Sequence, residues 1–347
     1  MPAITKPSNH FNATLYTGTG TNAVGITGVG FQTDFNWTKS RSSASYTHQL
    51  SDSVRGFSKY LYSSATSIEG TDASNHIQSV NSDGYVINSG ASFNASGVTF
   101  VSWNWKAGGA AVTNTTGTIS SQVSANPTAG FSVVTYTGTG ANATVGHGLG
   151  VAPSMVITKR RNGVGGWLTG FTALGWDKYI VLNSTDAVQT ATTEWNGAPT
   201  STVFTLGTDT FANGSGATYV AYCFAPVAGY SAFGSYTGNG SANGPFVYTG
   251  FRPKFLMLKK TSNATNSNWL MQDTSRETYN ASNYATLAAN LTNLEPQVSA
   301  GSFEGNFIDY LSNGFKIRSS GSNSNESSSN YIYMAFAEAP FKFANAR

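Results

Sequence analysis

One segment of the chain occurs three times, and this repetition constrains the fold more than any other feature. The copies start at Tyr16, Tyr136 and Tyr236 and read YTGTGTNAVGITGVGFQTDFNWTKSR, YTGTGANATVGHGLGVAPSMVITKRR and YTGNGSANGPFVYTGFRPKFLMLKKT. They align without a gap, and each carries a lysine at the same offset, as Lys39, Lys159 and Lys259. Self-similarity of this kind predicts one structural unit that is built three times.

The repeats divide the chain into three predicted domains. We expect repeat 1 with an N-terminal arm over residues 1–106, a linker over 107–129, repeat 2 over 130–226, and repeat 3 with a C-terminal tail over 227–347. A domain of about 100 residues can hold its own hydrophobic core. The linker is rich in small residues, so we expect repeat 1 to be placed more independently than repeats 2 and 3.

Composition and local pattern favour strands. Charged residues make up 10% of the chain, against the usual ~25%, so long exposed helices are not expected. Near the end of each repeat, large side chains alternate with smaller ones, and Trp103, Tyr222 and Met334 share the large face. This pattern predicts a sheet whose large face packs on a partner sheet. The predicted fold class is therefore all-β, with three tandem β-sandwich or jelly-roll-like domains. The spacing of the leucines at residues 284–295 predicts a short helix there.

The sequence offers little catalytic chemistry. Asp52 and Asp273 lie at matching places near Arg55 and Arg276, which favours an internal ion pair that fixes a loop over an acid–base pair. The single cysteine, Cys223, lies in an apolar strand, which predicts a buried and unreactive thiol. The histidines show no metal-ligand spacing, and we expect them in surface loops; they are His10, His48, His76 and His147. We predict a protein that is not an enzyme and that uses no cofactor and no metal.

Tryptophans outside the core strands leave a binding role open. Trp167, Trp176, Trp195 and Trp269 could present aromatic faces to a glycan or a partner, since sugars stack on such faces. Packing between domains or subunits is the favoured interpretation. The formal net charge of +3 is small and the basic residues are scattered, so we expect no nucleic acid partner. No signal peptide and no transmembrane helix are predicted, so the protein is expected to be made in the cytoplasm without membrane insertion.

The repeats resemble a family of marine tailed-bacteriophage virion structural proteins with repeated YTGxG and GPFVYTGFxP β-domains. The resemblance is carried by YTGTGANATVGHGLGVAPSMVITKRR, TYVAYCFAPVAGYSAFGSYTGNGSANGPFVYTGFRPKF and YIYMAFAEAPF. Repeat 1 departs from it, with Thr33 where the others have Pro153 and Pro253.

This resemblance implies a non-enzymatic, surface-exposed virion component, either a tail-fibre-like adhesin for host attachment or a capsid decoration protein. The expected partners are other virion proteins, further copies of the chain in a homotrimer, and a host surface glycan. The expected location is the virion surface, after synthesis in the host cytoplasm. The alternative is a carbohydrate-binding or polysaccharide-depolymerising protein.

Overall fold

A computed structural model describes residues 3–71, 77–276, 280, 285–295 and 307–340. Nearly all regular structure in these ranges is β-strand, which confirms the all-β fold class. The described helices are short: α1 (Ala91–Asn94), α2 (Thr210–Asn213) and 3-10 turns at Pro7–Asn9 and Thr172–Leu174.

The strands follow the repeats along the chain. Repeat 1 contains β1 (Phe11–Thr17), β2 (Val24–Ile26), β3 (Phe35–Ser40), β4 (Gln49–Asp52), β5 (Lys59–Tyr60), β6 (Gly70–Thr71), β7 (Ile77–Asn81), β8 (Gly84–Ile87) and β9 (Thr99–Trp105). Repeat 2 and the segment before it contain β10 (Val112–Asn114), β11 (Ser121–Asn126), β12 (Phe131–Thr137), β13 (Ala143–Gly146), β14 (Met155–Arg160), β15 (Trp167–Phe171), β16 (Lys178–Val181), β17 (Gln189–Thr190), β18 (Val203–Leu206) and β19 (Thr218–Phe224). Repeat 3 contains β20 (Ser231–Thr237), β21 (Phe246–Tyr248), β22 (Phe251–Lys260), β23 (Leu270–Asp273), β24 (Leu287–Ala288), β25 (Ile308–Leu311), β26 (Gly314–Ile317) and β27 (Asn330–Pro340).

Each repeat uses the same plan of two sheets. The main sheet has the order β1-β9-β3-β4 in repeat 1, and the same order recurs as β12-β19-β14-β15 and β20-β27-β22-β23. The smaller sheet is β2-β8-β7, β13-β18 or β21-β26-β25. One face of each main sheet packs on its smaller sheet, as Ala221 does in one cluster with Phe204 and Leu206. Each repeat is therefore a two-layer β-sandwich.

The large face of each main sheet packs against the other repeats. Trp103, Tyr222 and Met334 are buried in one hydrophobic cluster drawn from all three repeats. The rings of Phe35 and Tyr222 lie 4.2 Å apart across repeats 1 and 2. The sequence predicted that this face packs on the partner sheet of its own sandwich. That prediction is wrong, because the face packs on the large faces of the other two repeats. Packing the three large faces together removes the apolar side chains of all three repeats from water, and burial of apolar area drives this packing.

Two further segments differ from their predictions. The linker at 107–129 contains β10 and β11; β11 pairs with β12 and β10 pairs with β11, so both strands join the eight-stranded sheet of repeat 2. Leucines at 284–295 do not form a helix in the described part, 285–295, because β24 pairs there with β23. Leu287 enters the central cluster, and this burial outweighs a weak helical propensity.

The YTG motif fixes the end of each first strand. Its tyrosine hydroxyl donates to a backbone carbonyl late in the same repeat: Tyr16 to Phe93 (2.9 Å), Tyr136 to Ala212 (2.7 Å) and Tyr236 to Ser324 (2.7 Å). A Cβ atom at Gly18 would lie 2.2 Å from the Ala95 carbonyl oxygen, so only glycine fits there. The motif is therefore a structural clamp between the start and the end of a repeat.

The gapless alignment fails over the first strand of the smaller sheets. Three buried residues of this strand pair with equivalent aromatic residues: Ile26 with Tyr85, Val145 with Phe204 and Val247 with Phe315. They lie ten, nine and eleven residues after Tyr16, Tyr136 and Tyr236. The strand pairing therefore shifts by one residue between repeat 1 and each other copy, and by two residues between repeats 2 and 3, which sequence identity alone did not reveal.

Candidate functional site

The most elaborate polar chemistry of the molecule lies where one repeat meets another. We call these places junction 1–2, junction 2–3 and junction 3–1 after the repeats that they join. The buried lysines of the motif cross two of them: Lys159 Nζ donates to the Thr66 carbonyl of repeat 1 (3.2 Å), and Lys259 Nζ donates to the Thr185 carbonyl of repeat 2 (3.1 Å). At junction 3–1, Arg41 bonds Glu295 (2.8 Å). The repeats therefore close into a ring around the central cluster.

One position per repeat carries a ring N–H that reaches the neighbouring repeat. Trp167 Nε1 donates to the Tyr62 carbonyl (2.9 Å), and Trp269 Nε1 donates to the Val181 carbonyl (3.0 Å). His48 occupies the same position in repeat 1 and contacts the Ala288 carbonyl through Nε2 (2.9 Å). The equivalence follows from the strand register, in which β4, β15 and β23 pair alike with β3, β14 and β22.

The protonation of His48 follows from its second contact. Trp37 Nε1 donates to His48 Nδ1 (2.9 Å), and an indole N–H can only donate. Nδ1 is therefore an acceptor, so the hydrogen lies on Nε2 and is donated to Ala288. Burial lowers the pKa of His48 well below its usual value, and the charges of Lys39 and Arg276 lower it further. His48 is thus a neutral structural link.

None of the four tryptophans offers an open ring. Trp167 and Trp269 are 0% and 2% exposed and pack between repeats, which is the favoured interpretation of the sequence. Trp176 and Trp195 are buried in repeat 2, where their rings meet edge to face at 5.4 Å. A sugar that stacks on an aromatic face needs that face to be accessible, so the glycan hypothesis finds no support at these residues.

Junction 1–2 contains a buried ion cluster. Arg55 Nε bonds Asp52 at 2.5 Å, and both side chains are fully buried. Tyr222 of repeat 2 donates its hydroxyl to the same carboxylate (2.9 Å), and Arg55 also bonds Glu69 (3.1 Å). Burial alone would lower the pKa of Arg55, but the negative charges of the Asp52 and Glu69 carboxylates outweigh it and raise that pKa. The predicted internal Asp–Arg pair is confirmed.

Junction 3–1 repeats this cluster. Arg276 Nε bonds Asp273 at 2.6 Å, and both side chains are again fully buried. Trp103 of repeat 1 donates Nε1 to Asp273 (2.9 Å), as Tyr222 does at junction 1–2. Arg276 also pairs with Glu295, the counterpart of Glu69.

Junction 2–3 replaces the whole cluster by apolar residues. Strand register places Phe171 where Asp52 and Asp273 stand, because it pairs with Met155 as they pair with Phe35 and Phe255. Three residues later Leu174 takes the arginine position, and Met334 takes the position of the Tyr222 or Trp103 donor. The donor, the acid and the arginine are all replaced together, so the chain fills equivalent junctions either with a buried ion cluster or with apolar side chains.

The three motif lysines, which the sequence showed only as matching positions of the repeats, are buried hydrogen-bond donors in the structure. Burial lowers the pKa of Lys39 and Lys159 to about 8 and the pKa of Lys259 to about 7. Each amine donates to backbone carbonyls; for Lys39 these are Ser40 (2.8 Å) and Ser43 (3.5 Å). A cation at a fixed offset in a chain poor in charge was the signal that could have revealed this role.

The histidines differ from their predicted surface positions. His48 and His147 are fully buried, and the Leu149 amide donates to Nδ1 of His147 (3.2 Å). His10 is half-buried, and His76 lies outside the described residues. Burial raises the pKa of the Cys223 thiol, and Cys223 is free and fully buried, which confirms the prediction for this residue.

A polar cavity of about 180 Å³ lies beside junction 1–2. Its lining includes Gln122 from the added strand β11, Thr135, Thr218 and Arg161. Arg161 bonds Glu69 through two N–H groups (2.8 and 2.9 Å). The cavity exists because β10 and β11 extend this sheet, as the other two repeats have no such strands among the described residues.

Two other types of site are absent from the described ranges. No group of three or more His, Cys, Asp or Glu side chains there could hold a metal ion. The helices among those residues are all too short or too polar to cross a membrane.

Comparison with known proteins gives one informative result. A family described as a domain of unknown function (DUF7483) matches residues 6–340. No curated protein and no solved structure matches the chain. The matched range includes all three repeats and the residues of all three junctions, and the chain therefore belongs to the DUF7483 family.

Proposed function

We propose that the protein is a non-enzymatic structural component of a tailed-phage virion, exposed on the particle surface as a capsid decoration or tail-fibre-like protein. The observation that carries this proposal is the closed ring of three repeats around one apolar cluster. A ring whose junctions are buried is suited to a durable, rigid part of an assembly. The resemblance of the repeats to phage structural proteins supports the same assignment.

The arrangement also bears on partners. Because the main sheets face inward, the smaller sheets lie towards the outside of the ring, once per repeat. Three similar outward surfaces suit a multivalent contact with neighbouring virion proteins, where weak sites combine through effective concentration. A homotrimer remains a prediction. The threefold arrangement already exists within one chain, so further copies would associate through the outer surfaces.

The depolymerase alternative gains no support from the acids that the sequence singled out. Asp52 and Asp273 are fully buried and bonded to Arg55 and Arg276. A glycosidase needs two carboxyl groups that flank an accessible bond. A carbohydrate-binding role would have to use another surface.

Electron microscopy and proteomics of purified particles test the proposal. We expect peptides of this chain in particles that have been purified on a density gradient and treated with protease-free nuclease. We also expect labelled antibody on the outer surface of capsids or tails. Absence of the chain from purified particles, while it is abundant in the lysate, would contradict a virion role.

A further inference from the structure

Repeat 3 exposes two aromatic side chains on one face of β21. Phe246 and Tyr248 are 46% and 62% exposed. They belong to the GPFVYTGF part of the repeated motif. Val247, which lies between them, is buried against the main sheet, so the strand turns both rings outward. Aromatic rings that are this exposed contribute little to the core, so their presence calls for another explanation.

The two other repeats show that the fold does not need these rings. Strand register places Gly25 and Thr144 where repeat 3 has Phe246, because they pair with Val86 and Thr205 as Phe246 pairs with Lys316. By the same register, Thr27 and Gly146 stand at the position of Tyr248. Small residues therefore complete this strand in repeats 1 and 2, and the aromatic pair is an addition of repeat 3.

The neighbours of the rings form a surface with an apolar centre and a polar border. Tyr248, Gly314 and Leu311 stand side by side across the three strands of the small sheet. A Cβ atom on Gly314 would lie only 3.0 Å from the Phe246 ring, so the glycine leaves room for this ring beside the sheet. The next row is Phe246, Lys316 and Asp309, and directly paired residues lie on the same face.

The polar border can exchange hydrogen bonds with hydroxyl groups. Arg318 Nε bonds Asp309 at 2.5 Å, and the two side chains are 45% and 18% exposed. The pair presents donors and acceptors on the same face of the sheet as the rings, with Lys316 between Phe246 and Asp309. Lys316 adds a further donor, although its Nζ already bonds the Gly244 carbonyl (2.8 Å).

The size and the charge of this surface select the ligand class. At these exposures the two rings offer about 200 Å² of open aromatic area. A stable protein interface needs about 800 Å² from each partner, so the rings are too small a patch for that role. An aromatic floor of one or two rings beside a carboxylate–guanidinium pair suits a pyranose, whose C–H face stacks while its hydroxyls form hydrogen bonds.

We propose that the face formed by Phe246, Tyr248, Lys316, Asp309 and Arg318 is a carbohydrate-binding site of repeat 3 that takes a pyranose unit of a polysaccharide. The sugar ring stacks on Tyr248 and Phe246, and its hydroxyls bond the Asp309–Arg318 pair. This inference does not depend on the virion assignment, because it concerns binding by the purified chain.

The test uses the full chain and an array of neutral, amino and acidic pyranose oligosaccharides. The face variant carries Phe246→Thr and Tyr248→Thr, since threonine already stands at the matching positions Thr144 and Thr27. Val164→Thr, at an apolar residue that is 72% exposed, is the matched surface control. Thr135→Val probes the polar cavity. Melting temperatures of all variants establish that they fold.

The expected result is that the wild type and both control variants bind the same oligosaccharide, and that the face variant binds it roughly tenfold more weakly or not at all. Hydrogen exchange on the wild type should show ligand protection in β21 and β26, a readout that needs no substitution. The proposal is overturned if the wild type binds no oligosaccharide, if the face variant binds equally well, or if Thr135→Val abolishes binding and so moves the site to the cavity.

Discussion

Removal of the Asp52 carboxylate should destabilise the protein strongly, because Arg55 would stay buried with an incompletely paired charge. Both side chains are fully buried, and the carboxylate also accepts the Tyr222 hydroxyl (2.9 Å). Loss of one partner of such a pair costs about 3–5 kcal/mol. Glu69 and the Leu50 carbonyl still bond Arg55 (3.1 and 3.0 Å). We therefore expect Asp52→Ala to lower the free energy of unfolding by about 3 kcal/mol, at the lower end of that range.

Junction 2–3 supplies the matched variant for this experiment. There the corresponding residues are Phe171, Leu174 and Met334, so the chain already tolerates an apolar cluster at this place. Hydrophobic replacement of a whole buried ion cluster is often neutral or stabilising. We expect the triple variant Asp52→Phe, Arg55→Leu, Tyr222→Met to lie within about 1 kcal/mol of the wild type. Glu69 keeps its bonds to Arg161 in this variant.

Urea unfolding followed by tryptophan fluorescence measures both variants, with circular dichroism as a second probe. Equal slopes against urea would show that the same surface unfolds in each protein. Two results would refute the reasoning: an Asp52→Ala cost below about 1 kcal/mol, or a triple variant that is less stable than Asp52→Ala.

Three further predictions concern titration and reactivity. The pKa of His48 is depressed in the folded state. Its contribution to stability should therefore be lost as the pH falls below about 6.5. The double variant Trp37→Met, His48→Trp copies Met257 and Trp269 of repeat 3 and should reduce this acid sensitivity in thermal melts. Because the pKa of Lys259 is lowered to about 7, the unfolded chain binds more protons above that pH, so stability should rise between pH 7 and about 10; Lys259→Met should flatten this rise, and an unchanged slope would contradict it. Cys223 should react with a thiol reagent at the rate of unfolding, and rapid labelling of the folded protein would contradict its burial.

The sequence predicted those features that depend on local pattern. Alternation of large and small residues identified the last strand of each repeat, and the spacing of Asp52 and Arg55 identified a pair that lies within four residues. Both signals are local, so no knowledge of the tertiary arrangement was needed. The same holds for Cys223, since an apolar strand in a domain of this size is buried.

The sequence did not predict which surfaces and strand edges pack against each other in the tertiary structure. The pattern around Trp103 shows which face is apolar, but not that two other repeats cover it. Likewise, the small residues of 107–129 are compatible with a linker until β12 offers an edge for β11 to pair with. The aromatic pair in β21 became visible only when strand register showed that Phe246 corresponds to Thr144 and not to its partner in the gapless alignment.

The central claim is that the three repeats fold as one unit around a shared core, and scanning calorimetry of the full chain tests it most directly. If the core is shared, the chain should unfold in one transition, with a van 't Hoff enthalpy about equal to the calorimetric enthalpy. Three transitions, or a ratio of about one third in a single broad transition, would show repeats that unfold independently and would contradict the claim.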